Sequence, residues 1–288
     1  MNIEQDYEYC RNIIKKHSKS FYYGFSQLPK DEANAVYAIY TFCRMADDIV
    51  DDHQDLAVKI EKLQELKVQM KRFEESISID HPMWRALSDV RSKFPLDLTM
   101  FDKQLEGQMM DLNFSQPRTM EDLHYYSSFV AGSVGELLYP VLADEDTIEG
   151  RQMADSLGIA MQLTNILRDI GEDYVQHQRI YLPSDVMKTY GYTEDNLAQL
   201  TINESFIEMW ERLAQDAESR YNEFYPSISD YKASCRKPLL VATLVYAEVL
   251  NEVRRHHYNC LSKRNKVSLW QKNKLNQYAE QMLKGEQR

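Results

Sequence analysis

ANAVYAIYTFCRMADDIV, residues 33–50, is apolar on nearly every side and then ends in acid, with Asp47 and Asp48 followed by Asp51 and Asp52. A helix that is apolar all round normally sits in the middle of a core, so this stretch predicts an all-α protein built around it. MADSLGIAMQLTNILRDI, residues 153–170, repeats the pattern, with Asp169 and then Asp173 at its end. At about 100° per residue, Tyr40, Arg44, Asp47 and Asp51 fall within about 60° of one another, and Gln162, Asn165, Asp169 and Asp173 within about 80°. Each helix therefore carries one narrow polar stripe on an apolar cylinder.

Outward from these two helices the chain reads as more helix. Residues 4–25 predict a first helix, with Pro29 and Asp31 turning into the second, which runs over 31–52. Residues 54–76 alternate charge with Ile60, Leu63, Leu66, Val68 and Met70, which suits an amphipathic outer helix. Breaks are expected at Pro82, Pro95, Pro117, Pro140, Pro183 and Pro226. Helical stretches should centre near residues 87, 106, 130, 162, 214, 246 and 275. Nine glycines and eight prolines in 288 residues are few, as long helices with few turns require, and strand signals are scarce. No stretch reads as a linker or repeat, so residues 1–288 are expected to form a single domain.

Composition excludes several classes. A net charge of −11 argues against nucleic acid as a partner, since a phosphate backbone needs a basic face. Cys10, Cys43, Cys235 and Cys260 are scattered, without a CxxC pair, and read as buried thiols. With a polar N-terminus and no secretory leader, they point to a reduced, cytoplasmic setting. The longest apolar runs, 129–143 and 238–250, are too short to span a bilayer, and each contains a glutamate. His256 and His257 lack partners at zinc-ligand spacing. The basic run Arg254, Arg255, Lys263, Arg264 and Lys266 reads first as a solvated helix end, and second as a site for lipid head groups or diphosphate.

The acidic stripes carry the chemistry. Two carboxylates one turn apart, roughly 6 Å, repel by about 3 kcal/mol at an effective dielectric near 20. A core does not keep four of them without cations. Carboxylate and amide oxygens are hard ligands that suit Mg²⁺, which binds through few carboxylates and completes its shell with water or substrate phosphate. A lone DDxxD is more often a charged helix surface; two such stripes on two buried helices, with Arg44 and Arg168 beside them, favour a diphosphate site.

These residues resemble the squalene and phytoene synthase family from about His17 to Val267. Leu157-Gly158-x3-Gln162-x2-Asn165-Ile166-x-Arg168-Asp169-x3-Asp173, followed by Arg179-x-Tyr181-x-Pro183, is similar to the family's longer signature. Tyr126-x3-Val130-Ala131-Gly132-Ser133-Val134-Gly135 is similar to its shorter one. His17-Ser18-Lys19-Ser20-Phe21 and Arg44-x2-Asp47-Asp48-x2-Asp51 complete an ordered set of four motifs.

The resemblance implies an isoprenoid-synthase-type helical bundle around a central cavity open at the acidic end. It implies that Asp47 and Asp51 hold Mg²⁺ on one side, that Asn165, Asp169 and Asp173 hold it on the other, and that Asp48 assists from behind. Two or three ions bridged by diphosphate are expected. It further implies that His17, Ser18, Lys19, Ser20, Phe21 and Arg44 contact the substrates, with Gln162, Arg168, Tyr246 and Arg264. Tyr126 and Arg168 join the four aspartates as the expected catalytic set. The implied reaction joins two isoprenoid diphosphates head to head through a cyclopropylcarbinyl diphosphate, presqualene diphosphate when both chains are C15.

A carbocation needs water excluded. The expected wall is Phe21, Phe25, Tyr37, Tyr40 and Phe129, with Val130, Ala131, Val134 and Leu138. Gly132 and Gly135 within a helix suggest close packing or a kink beside a ligand. His17-x3-Phe21-x3-Phe25 puts three large side chains on one helical face, and that bulk favours two C15 farnesyl diphosphates over two C20 chains. Dehydrosqualene formation by proton loss, for C30 carotenoids, is the expected outcome. The alternatives are squalene synthesis with NADPH and phytoene synthesis from geranylgeranyl diphosphate, then a class I cyclase, then a non-catalytic helical scaffold. No GxGxxG follows a strand, so NADPH is not expected; it stays an alternative because the family's reductive members are not known for that fingerprint. A water-insoluble product implies transient peripheral contact with a bilayer. The polar residues 284–288 read as the absence of an anchor. The oligomeric state is not legible.

Overall fold

In a computed structural model of the chain, residues 2–285 are described, and they are almost entirely helical. The N-terminal third holds α1 (Ile3–His17), α2 (Lys19–Phe25), α3 (Lys30–Asp51), α4 (Leu56–Glu74) and α5 (Pro82–Lys93). Next come α6 (Thr99–Leu112), α7 (Met120–Ser127), a π-helical turn (Ser128–Gly132), α8 (Ser133–Leu142) and the long α9 (Ile148–His177). The C-terminal part has α10 (Ser184–Tyr190), α11 (Glu194–Ala198), α12 (Glu204–Phe224), a 3₁₀ turn (Tyr225–Asp230), α13 (Ala233–Arg255) and α14 (Leu269–Gly285). Residues 286–288 of the polar C-terminus lie outside the described residues.

The two apolar helices are central, as expected. On α3, Ala35, Val36, Ala38, Ile39, Phe42 and Ala46 are buried all around the cylinder, and α9 buries a comparable set including Leu157, Ala160, Leu163 and Leu167. At about 1.5 Å per residue α9 is roughly 45 Å long. It packs against α8, the π turn, α12 and α13, while α3 packs against α1, α5, α6 and α8. Amphipathic α4 lies outside them, contributing Leu63, Leu66, Met70 and Phe73 to the core. All four cysteines are buried free thiols. Among the described residues, no helix is long and apolar enough to cross a membrane.

Four expectations are corrected. Residues 4–25 form two helices, because Ser18 leaves the helical region (φ −136°, ψ 85°) and starts α2 in a new direction. His17 therefore closes α1 while Phe21 and Phe25 sit on α2, so the three do not share one face. Pro140 ends nothing; it lies in the last turn of α8, where its missing N–H forfeits a single helix bond and its ring is buried. The stretch near residue 130 is helical as expected, and its middle is a π turn continuous with α7 and α8, a feature frequent at functional sites. Short helices α10 and α11 fill a region where no helix is expected from the pattern.

Gly135 and Gly132 owe their places to close approach. A Cβ on Gly135 would collide with the Ala154 carbonyl oxygen, and one on Gly132 with the Asp155 carboxylate. Their absence lets the π turn and α8 lie directly on α9.

Candidate active site

A cavity of about 570 Å³ lies between these helices, well within the usual range for a ligand pocket. One end is polar: His17, Ser18 and Lys19 from the α1–α2 junction meet Arg44 and Asp47 of α3 and Arg168 of α9. Gln162, Asn165 and Arg264 line it too. The remainder is apolar, from Phe21, Phe25, Val130, Ala131, Val134 and Leu138. The break at Ser18 is what aims both ends of the junction inward. Phe21 stacks on Phe25 (centroids 5.5 Å) and Tyr246 (4.7 Å) and meets Tyr40 edge-on at 6.3 Å, forming an aromatic wall. Two expected wall residues are elsewhere. Tyr37 packs on Tyr22, and Phe129 packs on Tyr125 with the Lys103 ammonium over its ring.

The polar end is held by partners that the two stripes do not reveal. Gln108 of α6 donates to Asp47 Oδ1 at 2.7 Å, and Arg44 pairs with Asp48 one turn along α3. Burial, with Asp51, Asp111 and Asp48 adding to it against Arg44, pushes the Asp47 carboxyl up to about 7. Asp173 is pushed up to about 8, by burial and then by Asp169 and Glu172, despite Arg179 and Arg168. Burial is the main cause of both shifts, and neighbouring carboxylates add to it.

Asp169 is the better compensated. Arg168 Nε donates to its Oδ1 at 2.8 Å, and Arg264 reaches its Oδ2 at 3.2 Å while also pairing with Glu172. Asn165 donates to Gln162 Oε1 at 3.3 Å, but its own Oδ1 is buried without a partner.

Asp51, Asp169, Asp173 and Tyr126 do not line the cavity, and Asp173 lines a separate small pocket with Arg179 and Tyr181. Three carboxylates, Asp51 of α3, Asp111 of α6 and Asp173 of α9, gather around Arg179. Its guanidinium is 3.6 Å from Asp51 and donates to the Asp111 carbonyl at 3.1 Å, and it partly offsets the rise at Asp173. Helix α9 ends with Gln178 in the left-handed region (φ 53°), which turns the chain back so that the Arg179 amide donates to the Asp173 carbonyl. Asp111 accepts from Tyr181 at 2.8 Å and Tyr126 at 3.0 Å, and these two rings stack at 5.2 Å. Burial raises the Tyr126 phenol well above its ordinary range, so it stays a hydrogen-bond donor.

Gln108 and Asp111 lie off both acidic stripes, yet the sequence carries a signal for them. Gln104, Gln108 and Asp111 recur at helical spacing on α6, a third polar stripe shorter and less acidic than the other two. Among the described residues, no three Cys, His, Asp or Glu side chains converge closely enough to hold an ion by themselves.

Comparison with known proteins bears on this arrangement. The squalene/phytoene synthase family model matches residues 14–271. The chain belongs to that family. Membership makes it a prenyltransferase of the squalene/phytoene synthase type. It is similar to a 4,4'-diapophytoene synthase of Staphylococcus haemolyticus, 33% identical over 278 residues, covering 95% of each chain. A phytoene synthase of Arthrospira platensis is 34% identical over 281 residues, covering 92% of this chain and 89% of the relative. A crystal structure of a ligand-bound dehydrosqualene synthase superposes with a TM-score of 0.93 at 42% identity, covering 98% of both chains.

Proposed function

We propose that the protein joins two farnesyl diphosphates head to head to give dehydrosqualene, a C30 carotenoid precursor. One observation carries the reading: a single cavity has a cationic and amide-lined mouth and an apolar interior ended by stacked aromatic rings. The mouth suits two diphosphates, and the interior suits two prenyl chains kept from water.

Mg²⁺ fits the donor set. The partnerless oxygen of Asn165 and the carboxyls of Asp47 and Asp173, raised mainly by burial, are hard oxygen donors. Asp47 and Asp51 would hold it on one side, and Asn165, Asp169 and Asp173 on the other. Bound there, Mg²⁺ supplies charge neutralisation to the departing diphosphate.

The chain's own residues do the rest. Lys19, Arg44 and Arg168 put positive charge at the mouth, where leaving-group charge develops. Phe21, Phe25 and Tyr40 exclude water from the allylic cation formed when the first diphosphate departs. The double bond of the second chain attacks that cation, and loss of a proton closes the cyclopropane. A second ionisation, rearrangement and final proton loss give a C30 polyene, two diphosphates and two protons. Asp111, Tyr126, Tyr181 and Arg179 act from behind the wall, positioning Asp51 and Asp173.

The C15 preference rests on the Phe21–Phe25 stack and on the names of two relatives; the phytoene synthase relative supports the C20 alternative. Incubating purified protein with C15 and C20 diphosphates, with and without NADPH, and analysing the hydrocarbons separates them. Dehydrosqualene without NADPH is expected. A C40 product alone overturns the chain-length assignment, and NADPH-dependent squalene overturns the final step.

A further inference from the structure

The loop after α13 and the first turns of α14 carry charge of one sign. Residues 262–274, SKRNKVSLWQKNK, hold Lys263, Arg264, Lys266, Lys272 and Lys274 and no acid, in a chain of net charge −11. Arg264 is taken up by Asp169 and Glu172, and Lys272 turns inward with its ammonium 5.7 Å from the Tyr23 ring. Lys263, Lys266 and Lys274 stay exposed. Arg254 and Arg255 take no part, being paired with glutamates on α12 and α13.

This basic segment carries large apolar side chains in water. Leu269 and Trp270 are 68% and 65% exposed, and Tyr278 is 51% exposed. Trp270, Lys274 and Tyr278 recur every four residues, so they line one outer face of α14, with the Lys274 ammonium 3.7 Å from the Trp270 ring. The helix is otherwise well fixed. Ser268 and Gln271 cap each other at its start, Ala279 is fully buried, Leu275 and Met282 pack on the core, and Tyr23 donates to Asn273 at 2.8 Å. The exposed aromatics therefore sit on a rigid support.

The face also adjoins the cavity. Arg264, Lys266, Val267 and Lys272 line the mouth, and Lys16 and Lys19 line it from the other side. Leu269 follows Val267 by two residues, within about 7 Å along the backbone. Leu269, Trp270 and Tyr278 do not line the cavity themselves, so substrate recognition does not explain them.

We propose that the outer face of α14 with the preceding loop is a docking surface for an anionic lipid bilayer, holding the cavity mouth against the membrane. Trp and Tyr favour the boundary between head groups and acyl chains, lysines reach to anionic head groups, and the charge signs are complementary. A water-insoluble product would then leave into lipid. Docking goes beyond the proposed reaction: an error in that reaction appears in product analysis and leaves vesicle binding untouched.

The test is co-sedimentation of the full chain with phosphatidylcholine vesicles and with vesicles that also contain phosphatidylglycerol. Binding to the anionic vesicles that weakens with salt is expected. Trp270→Ser with Tyr278→Ser, and separately Lys263→Ser with Lys274→Ser, should each lower binding by about tenfold. Both variants should keep the wild-type melting midpoint and turnover of detergent-dispersed substrate. The proposal is overturned if the wild type fails to pellet with anionic vesicles, or if both variants bind as well as wild type. It is equally overturned if the chain is a dimer in solution that Trp270→Ser dissociates, since that face would then serve a second copy.

Discussion

Replacing Asp47 by Asn should stabilise the metal-free protein, increasingly so as the pH rises. In the folded chain, burial moves the Asp47 carboxyl from its ordinary 3.8 to about 7. At about 1.4 kcal/mol per tenfold change in proton affinity, ionising it in place costs ~4 kcal/mol. A carboxyl with a raised pKa keeps its proton in the folded chain where the unfolded chain has already lost it. Stability is therefore undiminished below about pH 4, falls as the pH climbs, and levels off above about pH 7. Asparagine cannot ionise, and its amide oxygen can still accept the Gln108 hydrogen bond now made at 2.7 Å. The gain is ~4 kcal/mol at pH 8 and less than ~2 kcal/mol at pH 5. At roughly 2–4 °C per kcal/mol for a large domain, the advantage in melting midpoint should widen by about 5–10 °C between those pH values. The assay is thermal unfolding in chelator at both, followed by circular dichroism. An offset that is negative, or equal at the two pH values, refutes the claim that its surroundings raise this half-buried carboxyl. Turnover by the same variant should fall by at least about a hundredfold, since its proposed cation ligand is lost.

Arg179→Gln removes the cation shared by Asp51, Asp111 and Asp173 and should lower stability by about 3 kcal/mol in urea unfolding with chelator. The loss should shrink when Mg²⁺ and an unreactive diphosphate analogue are present; an equal loss in both conditions would mean that Arg179 and the ligand do not serve the same charges. Phe25→Ala removes half of the Phe21–Phe25 stack and should let the enzyme condense C20 diphosphates, read as C40 hydrocarbon by chromatography. Unchanged C15 selectivity would place the length limit elsewhere. Gly135→Ala drives a methyl group into the Ala154 carbonyl and should cost about 1–3 kcal/mol, seen as a lower midpoint with activity reduced in parallel.

The helical class and both acidic stripes were legible in the amino-acid order because they depend on local geometry. A period near 3.6 residues aligns Arg44, Asp47 and Asp51, or Gln162, Asn165 and Asp169, whatever the helices later touch. The buried thiols and the central position of α3 and α9 follow from composition in the same way. Ser18 was not legible. The residues on both sides of it favour helix, yet the chain breaks there and α2 packs on α13, which puts His17 at the end of one helix and Phe21 on the next. Nor could Pro140 be read correctly, because a continuous rod from α7 through α8 absorbs one missing bond. Above all, the partners of the carboxylates come from distant parts of the chain: Gln108 and Asp111 from α6, and Arg179 from the turn after α9. A helical period shows that Gln108 and Asp111 share a face of α6, but which distant carboxylates or tyrosines they meet has no period to detect. Those contacts exist only once packing has brought separate helices together, and it is there that burial raises Asp47 and Asp173 above the ordinary carboxyl range.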